Sequence, residues 1–142
     1  MRETILEQMG QTLSPLVENH GFELVDESYD PRAFGNTVVS FRSSDFALRI
    51  VRDRGKIFAD VGPAQASEKW HDLKLVLEFL GHKGADTSAF DLNQLTSTLE
   101  ANYNSLKNVF SKDVYSRVRE QMMEFEREKT RERLAVLGSQ PT

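Results

Sequence analysis

The 142-residue chain contains no cysteine, which excludes disulfide frameworks, thiolate zinc sites and cysteine nucleophiles. A reducing cytoplasm is the expected compartment. No stretch approaches the ~20 consecutive apolar residues that span a bilayer, and the start Met1-Arg2-Glu3-Thr4-Ile5 lacks the apolar core of a signal peptide. Neither a membrane partner nor a secretory route is therefore expected. A large basic excess is missing too: the net charge is -4, unlike that of a general nucleic-acid binder. The sequence also lacks a Gly-x-Ser-x-Gly elbow, a phosphate-cradling glycine loop and a dinucleotide fingerprint. We expect no cofactor and no catalytic residues.

The three histidines, His20, His71 and His82, include no pair at helical metal-ligand spacing, so no metal site is expected. Asp26-Glu27-Ser28-Tyr29-Asp30 begins like a calcium loop. The pattern then fails, because Pro31 stands where glycine is required and Thr37 where a bidentate glutamate belongs.

What is present suits one domain: 39% hydrophobic and 28% charged residues need no staple to fold. Residues 1–137 read as a single domain, with 138–142 a disordered tail. Charge is unevenly spread. Residues 1–31 hold one base against seven acids, and residues 32–62 six bases against three acids.

Ile5, Met9, Leu13, Leu16 and Val17 mark an amphipathic helix that Gly21 stops, with Ser14-Pro15 able to restart it. Strands follow over 22–29, 36–42, 46–53 and 56–61, the last three alternating clearly. Short links at Ser43-Ser44-Asp45 and Arg54-Gly55 make this an antiparallel meander. If both turns hold two residues, Phe41 opposes Phe46, Leu48 opposes Val61 and Ile50 opposes Ala59. Thr37, Val39, Phe41, Phe46, Leu48, Ile50, Ile57, Ala59 and Val61 then form one face that must be covered. The other face is mixed, with Arg49 between Val38 and Asp60 in an expected cross-strand ion pair.

After Gly62-Pro63 the period becomes helical. Ser67 is placed to cap a helix to Leu80 carrying Trp70, Leu73, Val76 and Leu77. Ser88 and Asp91 open a second, burying Leu92, Leu95, Leu99, Leu106 and Phe110. Ser111 opens a third, with Val114, Val118, Met122 and Phe125 inward. Its charged continuation, Glu126 to Arg133, either persists as a solvated helix or frays, and it could pair between chains into a homo-oligomer. The expected fold is α+β: a four-stranded, mainly antiparallel meander with an N-terminal helix and three C-terminal helices packed on one face.

Two surfaces are candidates for binding. Asp26, Glu27 and Asp30, with Tyr29 and Phe34, form an acidic, aromatic-bearing strand end suited to a basic partner protein. Arg49, Arg52, Arg54 and Lys56 are a basic hairpin region able to meet phosphates, nucleic acid being the second partner class. The bland alternative for the latter is a solvated turn with Gly55 at positive φ. Trp70 is either a core anchor or an interface anchor.

The run Leu16-Val17-Glu18-Asn19-His20-Gly21-Phe22-Glu23-Leu24-Val25-Asp26 resembles the helix-to-strand entry of the ribosome maturation factor RimP. That likeness is confined to about the first thirty residues, and no ribosomal role follows from it. The meander Val38–Val61 with its Arg52-Asp53-Arg54-Gly55 turn, together with Trp70-His71-Asp72-Leu73, is similar to compact bacterial α+β immunity proteins. This resemblance implies an acidic, non-enzymatic inhibitor of a toxin or nuclease and assigns no residues.

Overall fold

The computed structural model describes residues 13–14, 16–30, 36–54, 56–64, 69–81 and 91–139, with the side chains of 26–30, 36, 133 and 136–139 outside that description. Helix α1 (described at residues 13–14 and 16–20) ends at Gly21, whose φ of 71° lets its N–H reach back to the Val17 carbonyl at 3.1 Å. The strands are β1 (Glu23–Asp30), β2 (Asn36–Arg42), β3 (Ala47–Asp53), β4 (Lys56–Gly62) and β5 (His71–Asp72). They pair in chain order, every neighbour antiparallel. Four helices follow: α2 (Leu73–Phe79), α3 (Leu92–Ala101), α4 (Tyr103–Val109) and α5 (Lys112–Ser139). The fold is α+β, with one strand and one C-terminal helix more than the sequence pattern predicts.

The alternating strands behave as their pattern dictates. Thr37, Val39, Phe46, Leu48, Ile50, Ile57, Ala59 and Val61 are all buried, and Phe41 packs against their rim. Leu13, Leu16 and Phe22 join them from the N-terminal side. From the helices come Leu73, Val76, Leu95, Leu99, Leu106, Phe110 and Met122, so a single core sits between one sheet face and the helices. Leu48 pairs with Val61 and Ile50 with Ala59, as a two-residue turn between β3 and β4 requires.

The β2–β3 link is longer than predicted. Phe41 opposes Leu48, not Phe46, and Arg49 opposes Ser40, not Val38. The reason is local. Ser43 Oγ accepts from the amides of Asp45 (3.1 Å) and Phe46 (3.3 Å), and Ser43 N–H donates to the Phe46 carbonyl, which locks a wider turn. A slip of two residues preserves which face each side chain takes, so the core assignment survives.

The helix predicted from Ser67 instead begins at Leu73, and Ser67 lies outside the described residues. Asp72 caps it, accepting from the amides of Lys74 (2.9 Å) and Leu75 (3.2 Å). His71 and Trp70 are thus on extended chain. Asp91 caps α3 in a reciprocal box with Gln94. Asn102 breaks the next predicted helix in two: its φ of -113° is not helical, and its amide donates to the Thr98 carbonyl at 2.9 Å. Ser111 does not cap α5 with its side chain, since its hydroxyl donates backward to the Asn108 carbonyl at 2.7 Å. The charged run after Phe125 stays helical through Ser139, past Gly138. Among the described residues no helix is long and apolar enough to cross a membrane.

Candidate functional site

The sheet has one sealed face and one that no described element covers. On the second face Val38, Ser40, Arg42, Arg49, Val51, Phe58 and Asp60 are all half-buried. Arg49 donates through Nε (3.0 Å) and Nη2 (2.8 Å) to Asp60 Oδ2, the cross-strand ion pair that the alternation predicts. Its guanidinium also lies 4.7 Å from the centre of the Trp70 ring, a cation–π distance. Trp70 therefore does not serve the helical core. It flanks a hollow of about 500 Å³ with Val25, Val38, Ser40, Phe41, Arg42, Ala47 and Arg49.

Two sequence features build that hollow. Val25 is an extra residue in β1, because Leu24 pairs with Phe41 and Asp26 with Ser40. Such a bulge re-aims a strand, and here Leu24 and Val25 are left 55% and 50% exposed. At the other side Gly62 lets the chain return close by: a Cβ there would lie 2.1 Å from the Lys69 carbonyl oxygen. Within the hollow's lining, Arg42 Nε is buried with no hydrogen-bond partner. An unmet guanidinium donor seeks a carboxylate or carbonyl oxygen.

A second constellation sits on the core side. His71 is only 4% exposed. Its Nδ1 lies 2.6 and 2.9 Å from the two oxygens of Glu126, and its Nε2 lies 2.8 Å from the Tyr115 hydroxyl. A carboxylate can only accept, so Nδ1 carries a hydrogen and donates; a neutral ring then accepts from the phenol at Nε2, and a charged one donates to it. Burial, then the Glu126 charge, pushes the Tyr115 phenol up from its ordinary range, with Arg119 pulling the other way. Tyr115 also lines a hollow of about 320 Å³ with Lys69, Arg119, Glu120, Met123 and Arg127. Sequence reading placed His71 on the helix from Ser67 and missed this chain entirely, since its members are 44 and 55 residues apart. The available cue was the inward stripe of α5, where Tyr115 and Glu126 interrupt Val118 and Met122.

The acidic candidates lie on the edge strand. Asp26 registers opposite Ser40, Glu27 opposite Val39, Tyr29 opposite Thr37 and Asp30 opposite Asn36; their side chains, and Phe34 altogether, fall outside the described residues. Of the basic candidates, Arg52, Arg54 and Lys56 gather at the β3–β4 turn. Arg49 is withdrawn to mid-strand by Asp60 and Trp70. Arg54 itself takes the positive φ, 54°, that the sequence reading gave to Gly55, which lies outside the described residues. On the distal part of α5, Leu134 is 62% exposed. Among the described residues no cluster of three or more His, Asp or Glu is placed to hold a metal ion.

No family model, curated protein or solved structure matches the chain.

Proposed function

We propose that this chain is a non-enzymatic protein-binding module that acts by occupancy, in the manner of an inhibitor, and takes a partner segment on the sheet face that no described element covers. The observation that carries the reading is Trp70 stacked on Arg49 beside a hollow in which Arg42 Nε has no partner. Tryptophan and arginine are the residues most often found as energetic anchors of interfaces. A mixed lining of Val25, Val38 and Phe41 with Ser40, Arg42 and Arg49 suits an extended peptide, whose carbonyls or carboxylate would meet Arg42. Asp26 and Asp30, which register opposite Ser40 and Asn36 on the neighbouring edge strand, would steer a basic partner, such as a nuclease, toward the same face, and Glu27, opposite Val39, would add to the strand's negative charge. Occupancy in a cytoplasmic setting is the corresponding role.

The test is a photo-crosslinking side chain at Val38 in cells that express the full chain. The expected result is one crosslinked protein that is lost on Trp70→Ala, with an affinity drop of about 30-fold or more, and weakened on Arg42→Ala. Charge reversal at Arg54, away from the hollow, should leave it intact. A crosslinked nucleic acid, or a protein yield indifferent to Trp70→Ala, would defeat the reading.

A further inference from the structure

We infer that the hollow beside Tyr115 is a proton-linked binding site for a small phosphate-bearing ligand. Three cations line it: Lys69 from the segment before β5, and Arg119 and Arg127, about two turns apart on α5. Lys69 and Arg119 are exposed. Three carboxylates offset them. Glu120 is on the lining, Glu124 holds Arg127 at 2.5 Å, and Glu126 is bonded to His71. A proton on the imidazole would add one positive charge beside these pairs.

The same proton changes what Tyr115 can offer. While Nε2 is bare, the phenol hydrogen points to His71 and only an oxygen lone pair is left for the hollow. Once Nε2 carries a hydrogen it donates to the phenol oxygen, and the phenol O–H is free to donate outward. The chain of groups then reads carboxylate, imidazolium, phenol, anion, each link donating toward the negative end beside it. An anion in the hollow favours the imidazolium, and the imidazolium favours the anion; that reciprocity is thermodynamic linkage.

Phosphate is the class that fits. Its several oxygens can take the forked donors of Arg119, the point charge of Lys69 and the phenol together, with Arg127, whose Nε and Nη2 donate to Glu124, adding charge at the rim. The hollow is at the small end of ligand sites, about 300–1,000 Å³, which leaves room for a small organic group on the phosphate. Groups facing His71 from the packed elements are Glu126 and Tyr115 of α5, with the Phe110 ring at 6.0 Å.

Isothermal titration of the full chain with inorganic phosphate, then phenyl phosphate, at pH 7.5 in two buffers of different ionisation enthalpy tests this. Saturable binding should appear, with part of a proton taken up per phosphate beyond what the ligand itself contributes. Tyr115→Phe should weaken binding by about tenfold and reduce the uptake. Arg119→Ala, an exposed substitution that leaves the core alone, should weaken binding without abolishing the uptake that remains. The inference fails if no saturable heat appears up to about 50 mM phosphate at matched ionic strength. It fails equally if the wild-type protein binds without extra proton uptake, or if Arg119→Ala binds as tightly as wild type.

Discussion

Replacing Tyr115 by Phe should cost more stability than the loss of one exposed hydroxyl, because it strands a nitrogen in the interior. His71 is 4% exposed, and its Nε2 has the Tyr115 hydroxyl at 2.8 Å as partner. Removing that oxygen leaves a buried acceptor unmet, at a cost of about 1–3 kcal/mol. His71→Phe should cost at least as much, since it leaves the phenol and the Glu126 carboxylate, 21% exposed, without the imidazole. The double variant His71→Phe/Tyr115→Phe removes both ends of one bond at once. Its loss should fall short of the sum of the singles by roughly 1–2 kcal/mol. Urea titration at pH 7 measures all four corners, provided the slope with denaturant is unchanged across them. Losses that add to within about 0.5 kcal/mol would show that His71 and Tyr115 do not act as a unit, and the linkage inferred for the adjoining hollow would lose its structural basis.

Further expectations concern the supports of the two sites. Gly62→Ala should destabilise by about 1–3 kcal/mol, because its Cβ would meet backbone, the Lys69 carbonyl, at 2.1 Å; the emission of Trp70, the one tryptophan in the sequence, should shift with it, and unaltered melting and emission would contradict the packing. Tyr103 donates to Asp45 at 2.5 Å, and burial followed by that bond pushes its phenol up to about 12 from the ordinary 10.0. A raised folded value means its stabilisation is complete below pH 10 and lost as pH climbs from 10 toward 12, roughly 2 kcal/mol in all; Tyr103→Phe should flatten that alkaline decline, and an equal decline in both proteins would refute the assignment. Arg54→Asn should raise stability by about 0.5 kcal/mol, because asparagine tolerates the positive φ of a hairpin turn better than arginine; a lower melting temperature would mean that the arginine's contacts outweigh its strain.

The sheet's sealed face was legible because a period of two admits only one arrangement of Val39, Leu48, Ile50, Ala59 and Val61. The Arg49–Asp60 pair followed from the same register, even though the β2–β3 turn was misjudged by two residues. What escaped the pattern was short or distant. A two-residue strand is too brief to show a period, so His71-Asp72 was absorbed into the helix it precedes. Asn102 left no mark because asparagine is unremarkable in a helix until its side chain bonds the carbonyl four residues back. The Tyr115–His71–Glu126 chain had no spacing to betray it. Yet Tyr115 and Glu126 stand eleven residues apart on α5, about three turns, and so share one helix face. Polar groups repeating on an apolar face are a signal that periodicity counts usually discard as noise.

The segment Lys69-Trp70-His71 ties both candidate surfaces to one stretch of backbone. Neighbouring residues on an extended chain send their side chains to opposite sides, so Trp70 reaches Arg49 on the open face while His71 turns inward to Glu126 and Tyr115. Lys69 lines the hollow beside Tyr115, and its carbonyl abuts Gly62. A change in one side chain should therefore act on its own face alone, whereas a change in the backbone position should act on both. Trp70→Ala should abolish partner crosslinking and leave phosphate titration unaltered, and Tyr115→Phe should weaken phosphate binding and leave crosslinking unaltered. Gly62→Ala should impair both. If Trp70→Ala weakened phosphate binding as much as it weakened crosslinking, the two surfaces would be one site, and the separation of partner from ligand drawn from this alternation would be wrong.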